Sequence, residues 1–214
     1  MSQKHFQLEN YSISFVDSSQ HLAACSLEVG DSLRILGRLH VEEYPSSQAC
    51  IELLIKSQNK ALANENALYT NRIKRLLQNC ILVERYEKSK FIFTLDILDK
   101  KTEHDIYHHL INLISFCLLA AKIEVRYVLT ASSCFLDAQQ NIIDETQARH
   151  VTHLSKNLNQ VFMCKRIDND DDILSFKING NLNRNQELGT VFSFLIAASN
   201  KVGREMVKYV MQKA

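Results

Sequence analysis

Between residues 91 and 111 the chain reads FIFTLDILDKKTEHDIYHHLI, which brings Asp96, Asp99, Glu103, His104 and Asp105 into ten positions. Carboxylates beside an imidazole can move protons or hold a cation, and the start of a helix adds backbone N–H groups that bind anions. The same residue types also build solvated corners and helix caps. Thr102 followed three residues later by Asp105 has the form of a capping box, with Asp105 in place of the usual Glu or Gln. On that reading a helix begins here, and Glu103 and Asp105 face its positive end.

Four further groups carry potential chemistry. His104 and His108 stand four apart with His109 next to them, a spacing that could offer two imidazoles to one metal. No third ligand is indicated and zinc sites use three or four, so the expectation is an exposed first turn of polar histidines and no metal or other cofactor. His150 and His153 read the same way. DNDDD at 168–172 lacks the spaced glycine and terminal glutamate of a calcium loop and reads as a solvated turn. Ser132, Ser133 and Cys134 are nucleophiles without a local base, inside LTASSCFL, which alternates like a sheet strand. Basic residues gather at Arg72, Lys74 and Arg75, at Arg85, Lys88 and Lys90, and at Arg34 and Arg38. Phosphate recognition needs such groups but fixes no spacing between them. No GxGxxG, P-loop, HExxH, GxSxG or paired CxxC string occurs, which removes the main support for nucleotide-binding, zinc-protease and hydrolase readings.

The elements that must position these groups follow from composition and period. At 214 residues, 46% of them hydrophobic, the chain can bury a large core as one domain, with residues 1–10 as a tail and 11–214 as the domain. No stretch reaches the roughly 18 apolar residues of a membrane span, and the first ten residues do not read as a secretory signal. Six widely spaced cysteines suit buried thiols in a reducing compartment, and the expectation is a cytosolic or nuclear protein. Lys+Arg of 25 against Asp+Glu of 24 leaves no global basic field for nucleic acid.

Residues 11–16 and 22–29 read as a hairpin and 50–57 as a third strand, with the Gly30, Gly37 and Pro45 region between them an irregular exposed loop. Helical spacing of Ile73, Leu76, Leu77, Cys80 and Ile81 predicts a helix over 66–81. Phe91, Phe93, Leu95 and Ile97 predict a central strand over 91–98, and an apolar stripe from Ile106 to Ala121 predicts a helix over 103–121. Strands follow at 127–136, from 141, and in HVTHLSKN, QVFMCKRI and ILSFKIN. Asn183 and Gln186 box the start of a last long helix. Helices separated by groups of strands predict an α+β fold with mixed sheets packed against helices.

This order of elements resembles the RNase PH family, with its ribosomal protein S5 domain 2-like fold. The entry Tyr86-Glu87-Lys88-Ser89 to the strand at 91 is similar to the family's Tyr-Pro-Arg-Ser, with Glu87 for proline and Lys88 for arginine. CLLAAKIEVRYVLTASSCFL looks like its Ala-Leu-Ala-Asp-Ala-Gly-Ile segment and following small-residue strand. IIDE at 142–145 stands where the family often has Leu-Asp-Pro-Thr, and LNQV at 158–161 has counterparts in ring subunits of the RNA exosome.

Phosphorolytic members carry a glycine turn and a Ser/Thr-Arg pair where this chain has Asp99-Lys100-Lys101-Thr102-Glu103-His104-Asp105. They also carry two aspartates on the later strand pair. Asp137 and Asp144 are available for these, but the family's second position, inside HVTHLSKN, holds no carboxylate. The resemblance therefore implies a non-catalytic subunit of the eukaryotic exosome ring. Such a subunit joins other RNase PH-like subunits in a hetero-oligomeric ring and supports 3'-to-5' RNA processing and degradation, rRNA processing included, in the nucleus, nucleolus and cytoplasm. Arg38, Lys88 and Lys90 are its candidate RNA contacts. The alternatives are a phosphorolytic exoribonuclease with an atypical site at Lys100, Lys101 and Asp144, or an adaptor that binds only proteins.

Overall fold

A computed structural model describes residues 6–8, 11–16, 19–57, 63–101, 104–137, 139, 141–145, 147–148, 158–169, 172–180 and 188–212. Strands β1 (Phe6–Leu8), β2 (Tyr11–Phe15), β3 (Ala23–Val29), β4 (Leu33–Glu43), β5 (Cys50–Ser57) and β6 (Ser89–Lys100) form one sheet in the order β1-β2-β3-β4-β6-β5. Strands β7 (Leu129–Leu136), β8 (Ile142–Ile143), β9 (Asn159–Arg166) and β10 (Ile173–Asn179) form a second, in the order β10-β9-β7-β8. Three long helices lie in the described residues, α1 (Ala63–Cys80), α2 (Tyr107–Ala120) and α3 (Leu188–Met211), with a short 3-10 turn at Val83–Arg85. The fold is α+β, as the grouping of strands predicts, with a mixed first sheet and an antiparallel second sheet packed against helices. Among the described residues the first sheet's only parallel pair is β5 with β6, which a hairpin cannot join, and α1 supplies the crossover.

Helix α2 decides how the layers stack. Every residue from Tyr107 to Leu118 is buried, the polar His108, His109, Asn112 and Ser115 included, so this helix lies between the two sheets rather than on a surface. Against the first sheet it comes so close that a Cβ on Gly37 would stand 2.8 Å from Leu113 Cγ and 3.3 Å from Cys117 Sγ. Against the second sheet, Asn112 donates from Nδ2 to the Ala131 carbonyl (2.9 Å) and accepts at Oδ1 from the Ala131 N–H (2.8 Å). That amide completes the part of β7 that the short β8 does not reach. Helix α3 covers the outer face of the second sheet, where Cys134, Leu136, Val161, Met163, Val191 and Leu195 make a smaller core. No helix among the described residues is long and apolar enough to cross a membrane.

Several expectations are corrected. The expected loop around Gly37 is the 11-residue strand β4, paired along its length with β3 and β6. Leu33, Ile35 and Leu39 alternate inward, and Gly37 is small because α2 presses on it, not because the chain turns there. Phe6–Leu8, inside the expected tail, pairs with β2. Helix α2 starts at Tyr107 rather than 103. Thr102, Glu103, His150, His153, Asn183, Gln186 and the strand expected in HVTHLSKN lie outside the described residues, as do the central residues of DNDDD. Strand β6 is internal as expected, with Phe91, Phe93, Leu95 and Ile97 buried, but Leu98 on its other face is 45% exposed.

Candidate functional site

The acidic corner leads from the end of β6 to the start of α2, beside β9 and β10. Asp105 is its organising residue. The Gln160 side chain of β9 holds the Asp105 backbone from both sides, Nε2 donating to its carbonyl and Oε1 accepting from its N–H, each at 2.9 Å. Thus fixed, the carboxylate accepts from the Tyr107 N–H at the first turn of α2 (2.9 Å), from Lys177 Nζ of β10 (2.6 Å) and from Asn179 Nδ2 (3.2 Å). Burial works against its ionisation. The Lys177 ammonium, the Tyr107 N–H and Tyr69 outweigh that and hold the carboxyl below its ordinary range. Asp105 thus caps the helix from just before its start, not from inside a capping box. The surrounding cleft, about 340 Å³, is lined by Tyr69, His104, Gln160, Lys177 and Asn179 among others.

The aspartates that a phosphorolytic reading would use are engaged in turns. Asp144 Oδ1 accepts from the Gln147 N–H (2.7 Å), and Asp137 accepts from the N–H and the side chain of Asn141 (2.8 and 2.9 Å). Lys100 closes the ladder of β6 opposite Leu33, and Lys101 is exposed.

The candidate RNA contacts do not converge. Arg38 and Lys90 share the uncovered face of the first sheet, but Arg38 pairs with Asp96 (2.7 Å) and Lys90 with Glu52 and Glu42 (2.7 and 3.3 Å). Lys88 sits in the turn before β6, exposed, at φ 59°, with no ion pair to a described residue. Arg34, expected in a loop with Arg38, is on β4 and pairs with Glu28 (3.2 Å).

The histidines differ from expectation most. His108 and His109 are buried, not exposed, and a third group that spacing could not reveal meets them: Glu145, 36 residues further on, just after β8. Burial opposes the charge of Glu145, but the two imidazoles hold its carboxyl well below the usual range. Ser133 Oγ and Glu145 both approach His108 at the same nitrogen, Nε2 (3.3 Å each), so no serine–histidine–acid relay through the two ring nitrogens is built here. All six cysteines are free thiols. Burial pushes Cys80 and Cys134 up to about 12, which makes them inert rather than reactive.

No protein-family model matches the chain, and no curated protein matches it in sequence. Among solved structures, the crystal structure of rice (Oryza sativa) Rrp46 superposes with a TM-score of 0.76, covering 96% of this chain and 96% of that one at 15% identity. The fold is RNase PH-like. Within the RNase PH-like fold, the corner before α2 is where the family resemblance implies a phosphate-binding turn. This chain has an internal carboxylate there, already paired with an ammonium.

Proposed function

We propose that this chain is a non-catalytic subunit of an exosome-type ring of RNase PH-like proteins, acting in 3'-to-5' RNA processing and degradation by closing the ring and guiding RNA. The observation that carries this reading is Asp105. A helix start with an accessible N–H is an anion site, but here the carboxylate of the chain itself takes the Tyr107 N–H and the Lys177 charge. A substrate phosphate would meet a negative charge where transition-state stabilisation needs a positive one. The RNase PH-like fold over nearly the whole chain supports the ring role, since closed rings are built by each subunit presenting two different faces to its neighbours.

The subunit works in the nucleus, nucleolus and cytoplasm. Of the three candidate RNA contacts, Lys88 is favoured by its exposure, because Arg38 and Lys90 must first leave their carboxylate partners. Two measurements test the proposal. Affinity purification from the native cell, followed by native mass spectrometry, should recover a heteromeric ring that contains one copy of this chain. The isolated chain, incubated with RNA and inorganic phosphate, should release no nucleoside diphosphate. Recovery as a stable monomer without such partners, or phosphate-dependent shortening that is lost in Asp144→Ala, overturns it.

A further inference from the structure

The first turn of α2 holds a group of side chains that the ring role does not use. His108 and His109 are 5% and 2% exposed, and their rings lie 3.8 Å apart. Consecutive helix positions point about 100° apart, so neighbouring imidazoles do not ordinarily face one partner. Here both do. His108 Nε2 is 3.3 Å from Glu145 Oε2 and His109 Nε2 is 3.0 Å from Glu145 Oε1. One donor atom from each of the three residues lies within 4.8 Å of the other two. Ser133 Oγ, on β7, approaches from a further side at 3.3 Å from His108 Nε2.

We propose that His108, His109 and Glu145 form a binding site for one divalent transition-metal ion, zinc by the chemistry of the donors. Two imidazole nitrogens and a carboxylate oxygen are a set that zinc takes as three of four tetrahedral ligands. Ligands at about 2.0–2.1 Å from zinc stand about 3.3 Å apart along a tetrahedron's edges. The His–Glu separations of 3.0 and 3.3 Å, each to a different carboxylate oxygen, are near that value, and the three donor atoms, within 4.8 Å of one another, draw together onto the ion as it binds. In the metal-free chain the same contacts are hydrogen bonds from the imidazoles to the carboxylate. Metal binding replaces them as each Nε2 gives up its proton, the other ring nitrogen carrying one instead. Ser133 Oγ, 3.3 Å from His108 Nε2, is the candidate fourth ligand among the described residues.

The site ties α2, at the centre of the molecule, to the chain just after β8, whose ladder with β7 is only two residues long. Its role is that of a clip, independent of the ring assignment.

The test uses the full chain, stripped with a chelator and titrated with cobalt(II) chloride, then zinc chloride. One cobalt per chain is expected, with the visible absorption of a tetrahedral nitrogen–oxygen site, displaced by zinc and accompanied by a higher Tm. Glu145→Gln keeps the side chain's shape and should weaken zinc binding at least tenfold, while exposed His40→Ala should leave it unchanged. His109→Ala should abolish it. Should that buried substitution unfold the chain, the Glu145→Gln titration and the cobalt spectrum decide. Absence of saturable binding, binding unaltered by Glu145→Gln, or a thiolate-to-cobalt band in the near ultraviolet overturns the proposal.

Discussion

The Asp105 carboxylate serves Tyr107, Lys177, Asn179 and Tyr69 at once, so its removal should be costly and pH-dependent. In Asp105→Asn the Lys177 ammonium loses its counter-charge in a half-buried place, and about 1–3 kcal/mol of stability should disappear at pH 7, measured by urea denaturation. The carboxyl is held lower in the folded chain than in the unfolded one, where it titrates near about 3.9. Its contribution is therefore complete above that value and is lost as pH falls through the folded-state value. The gap between wild type and Asp105→Asn should thus be constant from pH 7 to about 5 and shrink in more acid solution. A gap that widens on acidification would assign the stabilisation to another group. The acidic residues of this corner were legible in sequence as a helix start. That one of them would pair with Lys177, 72 positions away, was not, because only the second sheet brings β10 to that end of α2.

At the scale of elements, α2 is held by close approach on one side and by an amide on the other. Gly37→Ala places a Cβ within 2.8 Å of Leu113, which must move, and should destabilise by about 1–3 kcal/mol. Combined with Leu113→Ala, which removes the opposing atoms, the penalty of the glycine substitution should fall by about 0.5 kcal/mol or more in a double-mutant cycle. Additive losses would mean that the strand bends rather than that the helix is pushed. On the other side, Asn112→Ala strips two buried backbone groups of Ala131 of their partners. It should cost about 2–5 kcal/mol in thermal or denaturant unfolding. Strand β4 is hidden in the sequence because a glycine in an apolar alternation carries the signature of a turn. A glycine under a crossing helix gives the same letter for the opposite reason, and nothing local distinguishes them.

For the whole molecule, an uncovered sheet face and a nearly neutral surface set the expectations. A net charge of +1 gives weak non-specific attraction to polyanions, so the free chain should bind RNA poorly and lose what binding it has as salt rises. Under the proposed ring role, Lys88→Glu should reduce RNA crosslinking to this chain several-fold without altering the mass of the assembly. A crosslink unchanged by Lys88→Glu would place the RNA path elsewhere. Both expectations follow from a surface whose other candidate cations, Arg38 and Lys90, are already paired.

The sequence by itself determined the succession of strands and helices apart from β1 and β4, the buried stripes of α1 and β6, and the α+β class, because these depend on periodicities that a few neighbouring residues carry. It also showed the lack of glycine and arginine at the corner before α2. Only the tertiary structure decided that α2 is buried on every side, that β4 is a strand and that Asp105 answers to Lys177. It likewise decided that two histidines read as exposed meet Glu145 in the interior. Each of these depends on groups 30 to 80 positions apart in the chain, and their meeting is set by how the two sheets close on one helix, a relation that no local pattern records.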